Sequence, residues 1–279
     1  MKTWIVTGCS SGLGRALAET LLEKGYNVAV TARKPETVAD LAEKYPETAV
    51  ALALDVTDHD SVVKAVADTK ARFGSIDVLA NNAGYCLRGA VEECSMEAVQ
   101  KQFATNFYGP LDLIQTVLPV MREQKSGVIV NYSSIAALNT SEGSAFYGAS
   151  KAALEAMSDG LRKEVDPLGI RVIVVEPGPF ATDFYDRSLD ISDTNIGDYA
   201  DTAAKRKGRN PHPGQGLPGW GSPRLAAETV ITASEEERPP FRLLLGRVAI
   251  GSAEKRIADT QKEIETWREL ILHSDGEDS

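Results

Sequence analysis

Short, uninterrupted apolar runs alternate along the first 178 residues with longer segments in which apolar positions recur every three or four residues. Thr3–Thr7 (TWIVT) reads as a strand. Behind it, Leu13, Leu17 and Leu21, with Ala16 beside them, mark one face of a helix, and Gly25 stands where its C-terminal cap belongs. Asn27–Thr31 (NVAVT) is a second strand, and Pro35 suits the first turn of the helix after it. Val50–Val56 (VALALDV) is a third, with Thr57 or Asp58 as N-cap of a helix reaching Phe73. Ile76–Ala80, Gly127–Tyr132 and Ile170–Val175 continue the series.

These strands are continuous hydrophobic runs rather than in-and-out alternations, which implies burial on both faces. Six such strands with intervening helices predict an α/β fold: a single-domain, Rossmann-like, doubly wound parallel sheet with helices on both faces. Right-handed crossovers bring every strand-to-helix loop to one edge, so residues at strand C-termini converge on one crevice. Residues 1–178 are then the dinucleotide-binding core of one domain spanning 1–279. From Gly208 to Pro223, nine of sixteen residues are Gly or Pro. That composition excludes a long helix or central strand, and 179–223 is expected to lie over the crevice as a substrate loop or lid. Residues 224–272 add a helix, a strand at Phe241–Leu245 and a charged amphipathic helix at Ile250–Leu272, with Trp267 and Leu270 toward its end.

With 279 residues, 43% hydrophobic and 25% charged, the chain has the composition of a soluble globular protein. Thirty Lys and Arg against 40 Asp and Glu leave a formal net charge of −10, which disfavours nucleic acid and anionic membrane as partners. Three cysteines (Cys9, Cys86, Cys94) form no CxxC pair, and His59, His212 and His273 are far apart, so no metal site is expected. No apolar run reaches the roughly 20 residues of a membrane span. The expected setting is reducing and cytoplasmic.

The first turn reads Thr7-Gly8-Cys9-Ser10-Ser11-Gly12-Leu13-Gly14. Its glycines let a backbone approach a pyrophosphate, and the helix that follows offers N–H groups and a positive dipole. Gly8, Ser10, Ser11, Gly12 and Leu13 are therefore candidate nucleotide contacts. At the end of the second strand, Val30-Thr31-Ala32-Arg33-Lys34 has no carboxylate to hold the ribose hydroxyls of NAD. Arg33 is placed to meet a 2′-phosphate instead, which selects NADP (NADPH) over NAD. Asp55 and its neighbour Val56, closing the third strand, are candidates for the adenine end. Asp55 is equally suited to capping the next helix.

Tyr147 and Lys151 lie four apart in FYGASKAALEAM, a helical stretch, and so share a face. A phenol of pKa about 10 is a poor acid or base at neutrality. A neighbouring ammonium favours its ionised form. Ser134, where the fifth strand ends, is placed to hold a substrate oxygen, and Asn106 is a polar residue on an otherwise buried helical face.

Together these segments resemble a classical short-chain dehydrogenase/reductase. The likeness rests on the TGxxxGxG turn (Thr7 to Gly14), NNAG after the fourth strand (Asn81 to Gly84), Asn106, Ser134, the YxxxK pair, and PG followed by a threonine (Pro177, Gly178, Thr182). It implies Tyr147 as general acid of carbonyl reduction or base of alcohol oxidation. Lys151 would bind the nicotinamide ribose, Ser134 orient the substrate, and Asn106 relay protons. Asn82, Ala83 and Gly84 would flank the adenosine ribose, and Pro177, Gly178 and Thr182 the nicotinamide carboxamide. Many NADP-preferring relatives carry a basic residue in the glycine turn, where this chain has Ser11. The stretch from Tyr147 to Phe184 is similar to hydroxysteroid and retinol dehydrogenase-like members, which act on bulky, apolar alcohols and ketones.

Cys86, Leu138, Phe180 and Phe184, all beside motif residues, are the candidate substrate wall, or else ordinary packing. With no basic cluster in view, a neutral, largely apolar ketone or aldehyde is the expected substrate. The alternative to an enzyme is a non-catalytic NADP(H)-binding regulator on the same fold. The family resemblance also implies a homodimer or homotetramer. In such relatives it forms through the helix of Tyr147 and the one before it, where Ala145, Ala149, Ala153 and Met157 suit close packing against a partner or against the sheet.

Overall fold

The computed structural model describes residues 1–207 and 220–275. Seven strands form one parallel sheet: β1 (Thr3–Val6), β2 (Asn27–Ala32), β3 (Ala49–Ala53), β4 (Val78–Asn81), β6 (Gly127–Tyr132), β7 (Ile170–Pro177) and β9 (Arg242–Leu245). Their spatial order is β3-β2-β1-β4-β6-β7-β9, all parallel. The order reverses between β1 and β4, and the C-terminal ends there open a crevice.

Alternate residues of each strand enter two separate cores, as strands buried on both faces require. Trp4, Val6, Val28 and Val30 pack with Leu17 and Leu21 of α1 (Gly12–Glu23) and Val230 of α10 (Pro223–Glu235). Ile5, Ala29, Leu79 and Ile129 pack on the other face with Val62 of α3 (His59–Phe73), Leu113 and Val117 of α5 (Gly109–Gln124) and Leu161 of α7 (Ala145–Val165). The remaining helices are α2 (Ala39–Lys44), α4 (Met96–Phe103), α6 (Ile135–Leu138), α8 (Phe184–Arg187), α9 (Ala203–Lys207) and α11 (Arg247–Leu272). α4 and α5 are joined through a π-helical turn at Ala104–Tyr108.

The apolar runs mark every strand of the large sheet, with shifts at their ends. β3 stops at Ala53 because the chain turns at Asp55, whose carboxylate accepts bonds from the Thr57 N–H and hydroxyl at 2.9 and 2.7 Å. Asp58, not Thr57, caps α3, its side chain accepting from the Asp60 N–H. Gly25 follows α1 at φ +85°, where a left-handed residue relieves the helix end. A second sheet was not foreseen: β5 (Cys86–Arg88) pairs in parallel with β8 (Leu189–Ile191), so part of the expected loop after Gly178 is ordered beside the crevice. Residues 208–219 of the Gly- and Pro-rich stretch lie outside the described residues.

Candidate active site

At the crevice, one cavity of about 740 Å³ is lined by twenty of the twenty-two candidate residues. At the nucleotide end these are Gly8, Ser10, Ser11, Gly12, Leu13, Arg33, Asp55, Val56, Asn82, Ala83 and Gly84. Ser134, Tyr147, Lys151, Pro177, Gly178 and Thr182 follow, with Cys86, Phe180 and Phe184 beside them. Asn106 and Leu138 are not on the wall.

The glycine turn is shaped as a cradle. Gly8 (φ +72°) and Gly12 (φ +63°) take left-handed conformations that a Cβ disfavours. At Gly14 a Cβ would stand 2.3 Å from Asn82 Nδ2 and 2.5 Å from the Gly8 carbonyl oxygen. Only glycine lets α1 begin this close to the turn. Thr7 ties the turn to the NNAG segment, its hydroxyl accepting from the N–H groups of Asn82 and Ala83, both at 2.9 Å. The Asn82 amide donates back to the Thr7 carbonyl at 2.8 Å. Ser11 leads into α1 with no side-chain cap, so the first N–H groups of that helix face the cavity uncovered. Backbone donors, a helix N-terminus and the exposed Arg33 fit the phosphates of a dinucleotide. Lys34 is off the wall.

Lys151 is 4% exposed, and its ammonium donates to the Tyr132 carbonyl at 2.7 Å. Burial pulls its pKa down from 10.5 to about 8, with the Glu155 carboxylate, one helical turn on, acting in the opposite direction. Glu155 in turn accepts from the Ser133 hydroxyl at 2.6 Å and pairs with Arg242, which also meets Glu176. This chain, two buried carboxylates on a half-exposed arginine, ties α7, β7 and β9 together. Tyr147 lies one turn before Lys151, its ring 6.3 Å from that of Phe184 and tilted by 51°. Ser134 caps α6, its hydroxyl accepting from the Ala136 N–H at 3.1 Å.

Asn106 sits in the π-helical turn, fully buried. Its amide donates to the Tyr85 carbonyl at 2.9 Å and the Ser150 hydroxyl at 3.1 Å, while its oxygen accepts from the Tyr85 N–H at 3.1 Å. The side chain thus anchors the loop behind Gly84, where an added Cβ would stand 3.1 Å from Asn106 Oδ1 and 3.3 Å from Lys151 Nζ. Leu138 corrects the expected substrate wall. In the short α6, Ile135, Ala136 and Asn139 share the face toward the cavity, and helical periodicity turns Leu138 away. Cys86 is buried, and burial pushes its thiol up to about 11, which leaves it unreactive.

A family model described as short chain dehydrogenase matches residues 2–190. The chain belongs to the short chain dehydrogenase family. It is 36% identical to Oxidoreductase BOA17 of Botryotinia fuckeliana over 98% of this chain and 99% of that one. A 3-ketodihydrosphingosine reductase of Bacteroides thetaiotaomicron is also 36% identical, over 87% of each chain. The crystal structure of a short-chain dehydrogenase from Streptomyces avermitilis superposes with a TM-score of 0.90 at 38% identity, covering 98% of both chains. That of a short chain dehydrogenase from Burkholderia cenocepacia, solved in complex with NADP, gives 0.74 at 28% identity over 95% of this chain and 98% of its own. As a short chain dehydrogenase this protein is an oxidoreductase with a site for a nicotinamide cofactor.

Several wall residues of this dehydrogenase escaped the motif reading. Arg88, Arg187 and Arg206 line the cavity beside Leu189, and Val248 of α11 lines it near Gly178. Spread over 118 positions in sequence, the three arginines come to the wall from β5, α8 and α9. Among the described residues no helix is long and apolar enough to cross a membrane, and no cluster of three or more metal-ligating side chains occurs.

Proposed function

We propose that this dehydrogenase uses NADP(H) to interconvert a ketone or aldehyde and the corresponding alcohol on a largely apolar small molecule, in a reducing, cytoplasmic setting. The reading is carried by one observation: Tyr147, Lys151 and Ser134 border the same cavity as the glycine cradle and Arg33. NADP(H), when bound, supplies or accepts the hydride. Tyr147 gives a proton to the carbonyl oxygen in reduction and takes it back in oxidation. Lys151 is held by the Tyr132 carbonyl, and its remaining N–H bonds and charge act on the phenol and a ribose. Ser134 holds the substrate oxygen beside Tyr147. Asn106 keeps the Tyr85 backbone and Ser150 in place, and with them the approach to Lys151. Arg33 receives the 2′-phosphate, and Pro177, Gly178 and Thr182 border the nicotinamide end. The full catalytic set argues against a non-catalytic binding regulator.

For the substrate, Cys86, Phe180, Phe184 and Leu189 supply apolar wall. Arg88, Arg187 and Arg206, also on the wall, favour a second reading, in which the apolar carbonyl compound also carries an anionic group.

The test is loss of NADPH absorbance across paired neutral and carboxylated ketones and aldehydes, with Tyr147→Phe alongside. Turnover preferring NADPH and falling at least about 1,000-fold in Tyr147→Phe is expected, from loss of a positioned proton donor. A lower KM for the carboxylated partner would select the second reading. Turnover surviving in Tyr147→Phe would overturn the mechanism.

A further inference from the structure

Helix α11 departs from the body soon after it starts. Ala249 is its one buried residue, its root touches β9 and α6, and every residue from Glu254 to Leu272 is exposed. Helices in proteins are stabilised chiefly by packing an apolar face. This one carries such a face without covering it: Ile250, Ile257, Ile264 and Ile271 are 48, 70, 41 and 51% exposed, and Trp267 is 56% exposed. The four isoleucines recur every seven residues over roughly 32 Å of helix. A strict seven-residue repeat drifts about 20° per heptad around a straight helix, and two helices keep such a stripe in contact by supercoiling.

The other seam positions, three residues after each isoleucine, are Ala253, Thr260 and Trp267. Side by side in parallel, they would set Trp267 against its own copy and leave a void between the two Ala253. Antiparallel, with Ile257 opposite Thr260 of the partner, Ile250 meets the partner's Trp267 and Ile264 meets the partner's Ala253, large against small. The flanking charges agree. In that register Arg256 faces the partner's Glu263 twice per pair. The helix carries five cations and five anions, unlike the basic polar face of a helix that lies on anionic lipid.

We propose that α11 is a self-association element, pairing antiparallel with α11 of a second copy of this chain in a two-fold coiled coil. This assembly is separate from any contact through α7, whose Ala149 is exposed and whose Ala145, Ala153 and Met157 are half-buried. Sedimentation or light scattering tests it directly. Ile257→Glu/Ile264→Glu is expected to halve the mass in solution, with the thermal transition of the body unmoved because both side chains are exposed. Ile257→Leu/Ile264→Leu is expected to keep the mass. Arg256→Glu and Glu263→Arg should each raise the dissociation constant several-fold, and the double reversal should restore it, since the two face each other only in the antiparallel register. A monomeric wild type, or an unchanged mass in the double glutamate variant, overturns the proposal and gives the stripe to a lipid surface or an unlike partner. Failure of the charge reversal to rescue overturns the antiparallel arrangement.

Discussion

Lys151 is the residue at which burial and chemistry conflict most sharply. A protonated amine at 4% exposure is costly, which is why its pKa falls from 10.5 to about 8. Between those values the folded protein has released this proton while the unfolded chain still holds it. Stability contributed by this group therefore rises as pH increases through that window. Activity runs the other way, because the neutral amine no longer favours the ionised phenol. Reductase kcat/KM is expected to fall above pH about 8 along a one-proton limb, while the urea midpoint of the same protein holds or rises. Lys151→Met should remove the limb, together with at least about 100-fold of the rate. A midpoint that fell in parallel with activity would show general unfolding rather than titration of Lys151.

Among elements, the turn between β1 and α1 has the tightest tolerance, and its glycines differ in what they tolerate. Gly14→Ala drives a Cβ to 2.3 Å from Asn82 and 2.5 Å from the Gly8 carbonyl, so backbone must move. It is expected to cost about 2–3 kcal/mol and to displace the NNAG segment, weakening NADPH binding by more than tenfold. Gly12→Ala meets nothing closer than 3.8 Å but sits at φ +63°, and should cost only about 1 kcal/mol. Thermal melts with and without NADPH separate the two. This turn was legible in sequence because a strand, a glycine pattern and an amphipathic helix adjoin one another. The strands of the large sheet were legible for the same reason, each being an apolar run long enough to stand out. β5 and β8 were not, since three-residue strands a hundred positions apart carry no periodicity, and Arg88 of β5 was missed as a wall residue with them. Leu138 shows the converse error. Adjacency to a motif placed it near the cavity, but four residues of helix decided which way it faced. Asn106 was legible as a buried polar residue, while its bonds to Tyr85 and Ser150 depend on a π-helical turn that spacing does not reveal.

At the scale of the molecule, the sheet's switch point, the two cores and the polar chain Ser133–Glu155–Arg242–Glu176 hold the cavity in a chain of net charge −10. That acidity works at long range against the tetra-anionic NADPH proposed above, so on that reading local groups supply the attraction: the α1 N-terminus for the pyrophosphate and Arg33 for the 2′-phosphate. A ligand that binds only the folded state at 100 times its dissociation constant adds about 2.7 kcal/mol, or roughly 5 °C in a domain of this size. NADPH at that excess is expected to raise Tm by this amount, and NADH at the same concentration by a smaller one. The proposal assigns the difference between them to one guanidinium. Arg33→Ala should reduce the NADPH shift to that of NADH and leave the NADH shift unchanged, because the ribose hydroxyl of NADH makes no ion pair there to lose. Equal shifts in the wild type would place the selection elsewhere on the wall. A larger NADH shift would overturn the assignment of NADP(H) while leaving Tyr147 and Lys151 in their proposed roles.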